Sequence, residues 1–363
     1  MISTVPIMRP KLPAAERIVP YLRRIDEARI YSNFGPLVAS FEERLATHLG
    51  LAGETVVTMA NATMGLMLTL AALGARPGTL CIMPAWTFVA SAHAAMLAGL
   101  VPYFVDVDPM TWALAAGDLG EAIARAPGTV GAVMPVAPFG QPLDVAAWDR
   151  FRARTGLPVV IDAAAGFDAL VPGVTPAVVS LHATKVIGVG EGGFVVSRDA
   201  ALIRDIRTRS NFGFYGIREA VVPAANAKLS EYHAAIGHAA LDEWQDARAE
   251  WMAVAADYRR LFASSNQFEF QRGFGESWIA STCVLRLAEN GADRAEHALA
   301  AARIDTRRWW GAGAHAHPAT KDLPHAALPA TEELAQATIA VPFSRDLDLA
   351  AIERIAECLR AAL

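Results

Sequence analysis

Two side chains in this sequence have the type and setting for covalent chemistry. Lys185 stands in Ser180-Leu-His-Ala-Thr-Lys185-Val-Ile-Gly-Val-Gly-Glu-Gly-Gly193, an apolar and glycine-rich stretch with no other lysine. An ammonium group is costly to desolvate, so a lysine in such a setting either reaches solvent or is used chemically. Desolvation lowers its pKa and makes the amine nucleophilic, which is how Schiff-base lysines are prepared. An isolated lysine near a strand end ordinarily snorkels to the surface, so its partners decide. Upstream, Leu157-Pro-Val-Val-Ile-Asp162 is a buried-strand pattern that ends in a carboxylate. Open α/β sheets place their ligands at the carboxyl ends of such strands. The run Gly188-Val-Gly190-Glu-Gly-Gly193 also matches a dinucleotide fingerprint, but that motif must open a helix. Here the β-rich Phe194-Val-Val-Ser197 follows directly, so the match is set aside.

The elements around these residues read as strands alternating with helices. Helical spacing covers 13–30, with Ile18, Tyr21, Leu22 and Ile25 on one side, and resumes at 37–49 after Ser32-Asn-Phe-Gly-Pro36. A short β-branched strand at 54–59 turns through Ala60-Asn-Ala-Thr63 into an apolar helix at 64–73. Such a strand–turn–helix is an anion site by construction, since the free N–H groups and the dipole of the helix start face the turn. Its ordinary alternative is a simple cap by Asn61 or Thr63. Strands at 79–83, 101–105, 130–136 and 158–162 alternate with helices at 88–98, 118–125 and 144–154. That order predicts βαβ crossovers and a mainly parallel sheet. Segments 177–181 and 193–197 have no helix between them, which allows an antiparallel pair. A long helix or helix pair spans 229–261, a strand 277–287, and helices 294–302 and 350–362. Gly311 to Pro318 reads as a flexible loop.

With these segments in place, the chain resembles the DegT–DnrJ–StrS sugar aminotransferases, which are fold-type I pyridoxal-phosphate enzymes. The resemblance rests on Asn33-Phe-Gly-Pro36, Ala60-Asn-Ala-Thr63, Pro84-Ala-Trp-Thr-Phe-Val-Ala90, Val105-Asp-Val-Asp108, Pro138-Phe-Gly-Gln141, Ile161-Asp-Ala-Ala164, Ser180 to Gly193 and Asn226-Ala-Lys-Leu-Ser-Glu231, in that order. Pyridoxal phosphate needs a carboxylate beside its pyridine nitrogen and a lysine on its aldehyde carbon, and Asp162 with Lys185 supplies that pair. The resemblance implies Ser180, Thr63 and the backbone of Ala62 as phosphate ligands, Phe88 stacked on the ring, and Asn226 reaching the phosphate of a neighbouring subunit in a homodimer with shared active sites. It implies a nucleotide-linked keto-deoxysugar as acceptor and glutamate as amino donor. The alternative is a catalytically altered member that binds pyridoxal phosphate in a regulatory role. Four positions depart from the family pattern: Ala62 for a glycine, Ala165 for Gln or His, Ala137 for a histidine, and Lys228 for an arginine. Relatives that dehydrate sugars carry histidine in place of the lysine, and Lys185 argues against that branch.

Composition bounds the rest. Of the 363 residues 53% are hydrophobic and 19% charged, which suits a large core and a buried subunit interface. A net charge of −5 without basic runs gives no footing for nucleic acid. Cys81, Cys283 and Cys358 have no paired spacing, so neither a disulfide framework nor a zinc site is expected, and the cytoplasm is the default. His315-Ala-His317 alone falls short of a metal site. Residues 1–13 lack the order of a signal peptide and no stretch approaches membrane-spanning length. A composition shift near 245–265 places the domain boundary so that 1–250 binds pyridoxal phosphate and 251–363 forms a smaller α+β C-terminal domain.

Overall fold

The computed structural model describes residues 4–117, 119–263 and 265–363. Asp118, the expected first residue of the helix at 118–125, lies outside the described residues, as do residues 1–3 of the N-terminal stretch. In chain order the elements are α1 (Ala15–Ala28), α2 (Pro36–His48), β1 (Val56–Met59), α3 (Ala62–Ala72), β2 (Leu80–Pro84), α4 (Val89–Leu97), β3 (Val101–Val105), α5 (Leu119–Ala124), β4 (Val130–Val133), α6 (Val145–Thr155), β5 (Ile161–Asp162), β6 (Ala177–Ser180), β7 (Gly193–Val196), α7 (Ala200–Ser210), α8 (Glu231–Asp242), α9 (Trp244–Phe262), β8 (Phe268–Phe270), β9 (Cys283–Leu287), α10 (Ala292–Ala301), α11 (Pro329–Ala337), β10 (Thr338–Val341) and α12 (Leu349–Ala362).

The central sheet follows from the apolar strand runs. β3, β2 and β4 pair in parallel, and β5 pairs in parallel with β6. Parallel bridges Val133–Val159 and Val136–Asp162 join β4 to the extended approach to β5. The strand order is therefore β3-β2-β4-β5-β6-β7-β1, with β7 running against β6 and β1. This is the mainly parallel sheet expected, and the 177–181 and 193–197 segments do form an antiparallel pair. Strand side chains alternate between two apolar clusters, one holding Ile82, Val133, Ile161 and Val179, the other Cys81, Met83, Val160 and Val178. Both faces are thus buried beneath helices, as a parallel sheet requires.

A second antiparallel sheet, β10-β9-β8, lies in the C-terminal part with α10, α11 and α12. The N-terminal stretch joins this part, since Val5 bridges Ile304 and the Phe343 N–H donates to the Ile7 carbonyl. The division expected after residue 250 falls inside α9, which runs unbroken to Phe262. The strand expected over 277–287 is confined to Cys283–Leu287. Tertiary bonds claim the residues before it: the Trp278 indole donates to the Arg272 carbonyl at 2.9 Å and the Ile279 N–H to Asp168 at 2.9 Å. The glycine-rich segment 311–318 is pinned at Ala314, which is buried and donates to the Ala85 carbonyl.

Candidate active site

The sheet register assembles one end of the sheet into a polar floor. Asp162 closes β5, and Ser180 closes the adjacent β6. Ser180 lies opposite Gly193 of β7, and Gly193 lies opposite Met59 of β1, next to the turn that opens α3. A β-carbon at Gly193 would stand 2.7 Å from the Ala62 nitrogen, so only glycine lets the turn seat on the sheet. The start of α3, carrying Ala62 and Thr63, is thereby brought beside Ser180. Asn61 caps that helix by accepting from the Met64 N–H at 2.9 Å, so the ordinary cap and a donor-rich helix start coexist.

Lys185 sits on a loop that folds back on itself. Leu181 donates to Gly192, Ala183 to Gly190 and Lys185 to His182 through their backbones. A β-carbon at Gly188 would stand 2.8 Å from the Ala183 carbonyl oxygen, so the crossing depends on that glycine. His182 braces the loop through Thr184 at 2.8 Å. Burial pushes the Lys185 amine below the usual lysine range, while the charge of Asp162 opposes that shift. Among the described residues the two interact through charge without a direct ion pair, which leaves the amine available.

Asp162 is only 6% exposed. Burial pushes its carboxyl up; the Ser91 hydroxyl, the Ala164 N–H and the Lys185 charge act the other way. Ser91 donates to Oδ2 at 2.7 Å and Ala164 N–H to Oδ1 at 3.1 Å. Thr87, four residues before Ser91, lies 2.9 Å from its hydroxyl. Sequence reasoning missed Ser91. Its signal was a hydroxyl residue in the first turn of a mostly apolar helix, four residues after Thr87.

Phe88 is 56% exposed at the N-cap of α4, which is not where a core residue would sit. It stands between Thr87 and Ser91 in sequence, and its carbonyl lies 3.4 Å from the Thr87 hydroxyl. Asn226 is exposed and accepts from the Lys228 ammonium at 2.7 Å, which also lies 4.4 Å from the centre of the Phe212 ring. The next residue, Ala227, accepts from the Ala60 N–H. Among the described residues none of Asn226's side-chain bonds reaches Thr63 or Ser180 of its own subunit. Ala165 lies against the Pro138-Phe-Gly140 turn, since a β-carbon at Gly140 would stand 2.6 Å from its carbonyl oxygen.

A mainly parallel sheet with a lysine, a buried carboxylate and a helix start gathered at one end defines the fold-type I aminotransferase class. The model of the DegT/DnrJ/EryC1/StrS aminotransferase family matches residues 14–360, and the chain belongs to that family. Among its relatives, Protein Rv3402c of Mycobacterium tuberculosis is 32% identical over 87% of this chain and 79% of its own length. The UDP-2-acetamido-2-deoxy-3-oxo-D-glucuronate aminotransferase of Pseudomonas aeruginosa is 30% identical over 90% of both chains. Among solved structures, DesI in the presence of its TDP-sugar product superposes with a TM-score of 0.89 at 31% identity, covering 99% of this chain and 93% of that one. The protein is thus an aminotransferase of this family.

Proposed function

We propose that this aminotransferase uses pyridoxal phosphate to move an amino group from an amino acid, glutamate in the first instance, onto a nucleotide-linked keto-deoxysugar. One observation carries the reading: the carboxylate that closes β5 is buried, and the loop after the adjoining β6 carries a lysine whose amine feels that carboxylate's charge. The residues present suit the cofactor's ring nitrogen, aldehyde, ring face and phosphate. Asp162 matches a pyridinium nitrogen, Lys185 an aldehyde carbon, Phe88 a ring face, and the donors around Ala62, Thr63 and Ser180 a phosphate. When bound, pyridoxal phosphate supplies the electron sink and the carbon at which the amino group is exchanged.

The protein's own part is then positional and acid–base. Asp162 holds a proton on the ring nitrogen, because an ionised carboxylate favours the cationic form. Lys185, kept toward its neutral form by burial, takes up and returns a proton at Nζ. Ser180, Thr63 and the Ala62 N–H would hold the phosphate, and Phe88 would supply an apolar face to the ring. Asn226, with Lys228 beside it, serves the phosphate of the other subunit of a homodimer. The nucleotide-sugar substrate class is taken from the relatives, whose names specify UDP- and TDP-linked sugars. Residues 1–250 would carry the cofactor and 251–363 flank it. Among the described residues no helix is long and apolar enough to cross a membrane, and the three cysteines are free; we place the enzyme in the cytoplasm.

Borohydride reduction of the protein loaded with pyridoxal phosphate, followed by peptide mapping, tests the reading. The label is expected on Lys185, and incubation with glutamate is expected to release 2-oxoglutarate. A label on any other lysine removes the assignment.

A further inference from the structure

We infer that Ser91, backed by Thr87, is a positioning residue that keeps the Asp162 carboxylate ionised and aimed. The inference rests on the reading of Asp162 as the partner of a ring nitrogen. A carboxylate that is 6% exposed has lost most of its water, and the protonated form would gain unless donors replace that water. Two donors do so. The Ala164 N–H is fixed by the backbone at 3.1 Å, and the Ser91 hydroxyl is closer, at 2.7 Å. The charged group acting on Asp162 is Lys185, from the loop after β6; the Ser91 hydroxyl comes from α4 and the Thr87 hydroxyl from the bend before it.

The hydroxyl chain has a direction. An ionised carboxylate only accepts, so Ser91 must donate its one proton to Asp162. Thr87 then donates to Ser91 at 2.9 Å, since its other acceptor, the Phe88 carbonyl, is 3.4 Å away. Ser91 is 0% exposed and Thr87 1%, so water does not compete for either hydroxyl. Ser91 sits in the first turn of α4 and Thr87 just before its N-cap, and a helix is a rigid mount for a donor. Phe88 lies between them in sequence. The start of α4 thus carries both the donor to the carboxylate and the exposed Phe88.

The test follows the Asp162 carboxyl itself in the full-length protein without added cofactor. Aspartate labelled with carbon-13 at the side-chain carboxyl is titrated by NMR, the Asp162 signal being identified by its loss in Asp162→Asn. Removing a hydrogen bond to a buried charge should raise the midpoint in Ser91→Ala by about one pH unit or more. Ser91→Thr should titrate like wild type. The loaded enzymes give the second readout: Ser91→Ala should lower kcat by about tenfold with KM nearly unchanged. A merely structural loss would lower the melting temperature without moving the carboxyl midpoint. An unmoved midpoint in Ser91→Ala, or a Ser91→Thr protein that titrates like Ser91→Ala, overturns the inference. Failure of wild type to bind pyridoxal phosphate would instead overturn the function proposed above, and the carboxyl titration separates the two.

Discussion

At the scale of single residues, the site holds a charge that the fold alone would not choose. Burial pushes the Asp162 carboxyl above its usual range. A group whose folded pKa is raised adds stability fully present below its unfolded pKa and lost as pH rises through the folded value. An ionised Asp162 carboxylate is therefore a cost to folding, one that the proposed function would require. Asp162→Asn should melt at a higher temperature than wild type near neutral pH when both lack cofactor, and the difference should shrink as pH falls toward the unfolded carboxyl range. The same variant should lose transamination by roughly 10²-fold or more, because a neutral amide no longer favours the protonated ring. Calorimetry across pH and single-turnover rates check the two halves. A destabilised Asp162→Asn, or one with near-normal turnover, would mean that Asp162 is an ordinary core carboxylate. Lys185 and Asp162 were legible in the sequence because charged residues are conspicuous in apolar runs. Ser91 was not, since a serine among alanines on an apolar helix reads as filler until its partner across the sheet is seen.

At the scale of elements, close approach does what motif spacing only hinted at. The strand pattern and the helical period placed most of the elements and the mainly parallel sheet. They did not foresee that the register would align Ser180, Gly193 and the α3 turn, because register is set by which strands meet. Glu231 shows the same limit. Its motif and Asn33-Phe-Gly-Pro36 were each visible, yet only the fold reveals that the buried Glu231 carboxylate accepts the Leu37 and Val38 N–H groups and caps α2. Segment 277–282 was lost to the sequence reading for a related reason, since Trp278 and Ile279 have strand propensity but are bound elsewhere. Gly193 gives the prediction that belongs here. Gly193→Ala would drive a methyl group against the Ala62 backbone, at 2.7 Å from its nitrogen and 3.0 Å from its Cα. Backbone cannot swing aside as a side chain can, so the start of α3 must shift. A loss of about 1–3 kcal/mol in stability is expected, together with pyridoxal phosphate affinity weakened by on the order of tenfold. Denaturant titration and cofactor equilibrium binding measure each. Unchanged cofactor affinity would show that the α3 start does not hold the phosphate.

At the scale of the whole molecule, the proposed active site would draw on two chains. Phe212, Tyr215, Ile217 and Val221 are exposed apolar side chains in the segment leading to Asn226. Met96 and Leu97 at the end of α4 are exposed as well. Surfaces of this kind mark interaction sites, and two-fold pairing would make the interface isologous. Asn226 itself is exposed and, among the described residues, bonds only toward Lys228. These features motivate a dimer in which Lys185 serves its own subunit and Asn226 serves its neighbour. Two variants test the arrangement: Lys185→Ala, and Asn226→Trp to block the phosphate pocket, each expected to be inactive alone. In a mixed dimer, one site collects both lesions and the other collects neither. Half of randomly reassociated dimers are mixed and each has one sound site, so about a quarter of wild-type activity should return. If Asn226 instead acts within its own chain, every site in the mixture carries one lesion and none recovers. Native mass spectrometry must first show that subunits exchange. Exchange without recovered activity would separate Asn226 from the partner's site and leave the apolar segment before it in need of another occupant.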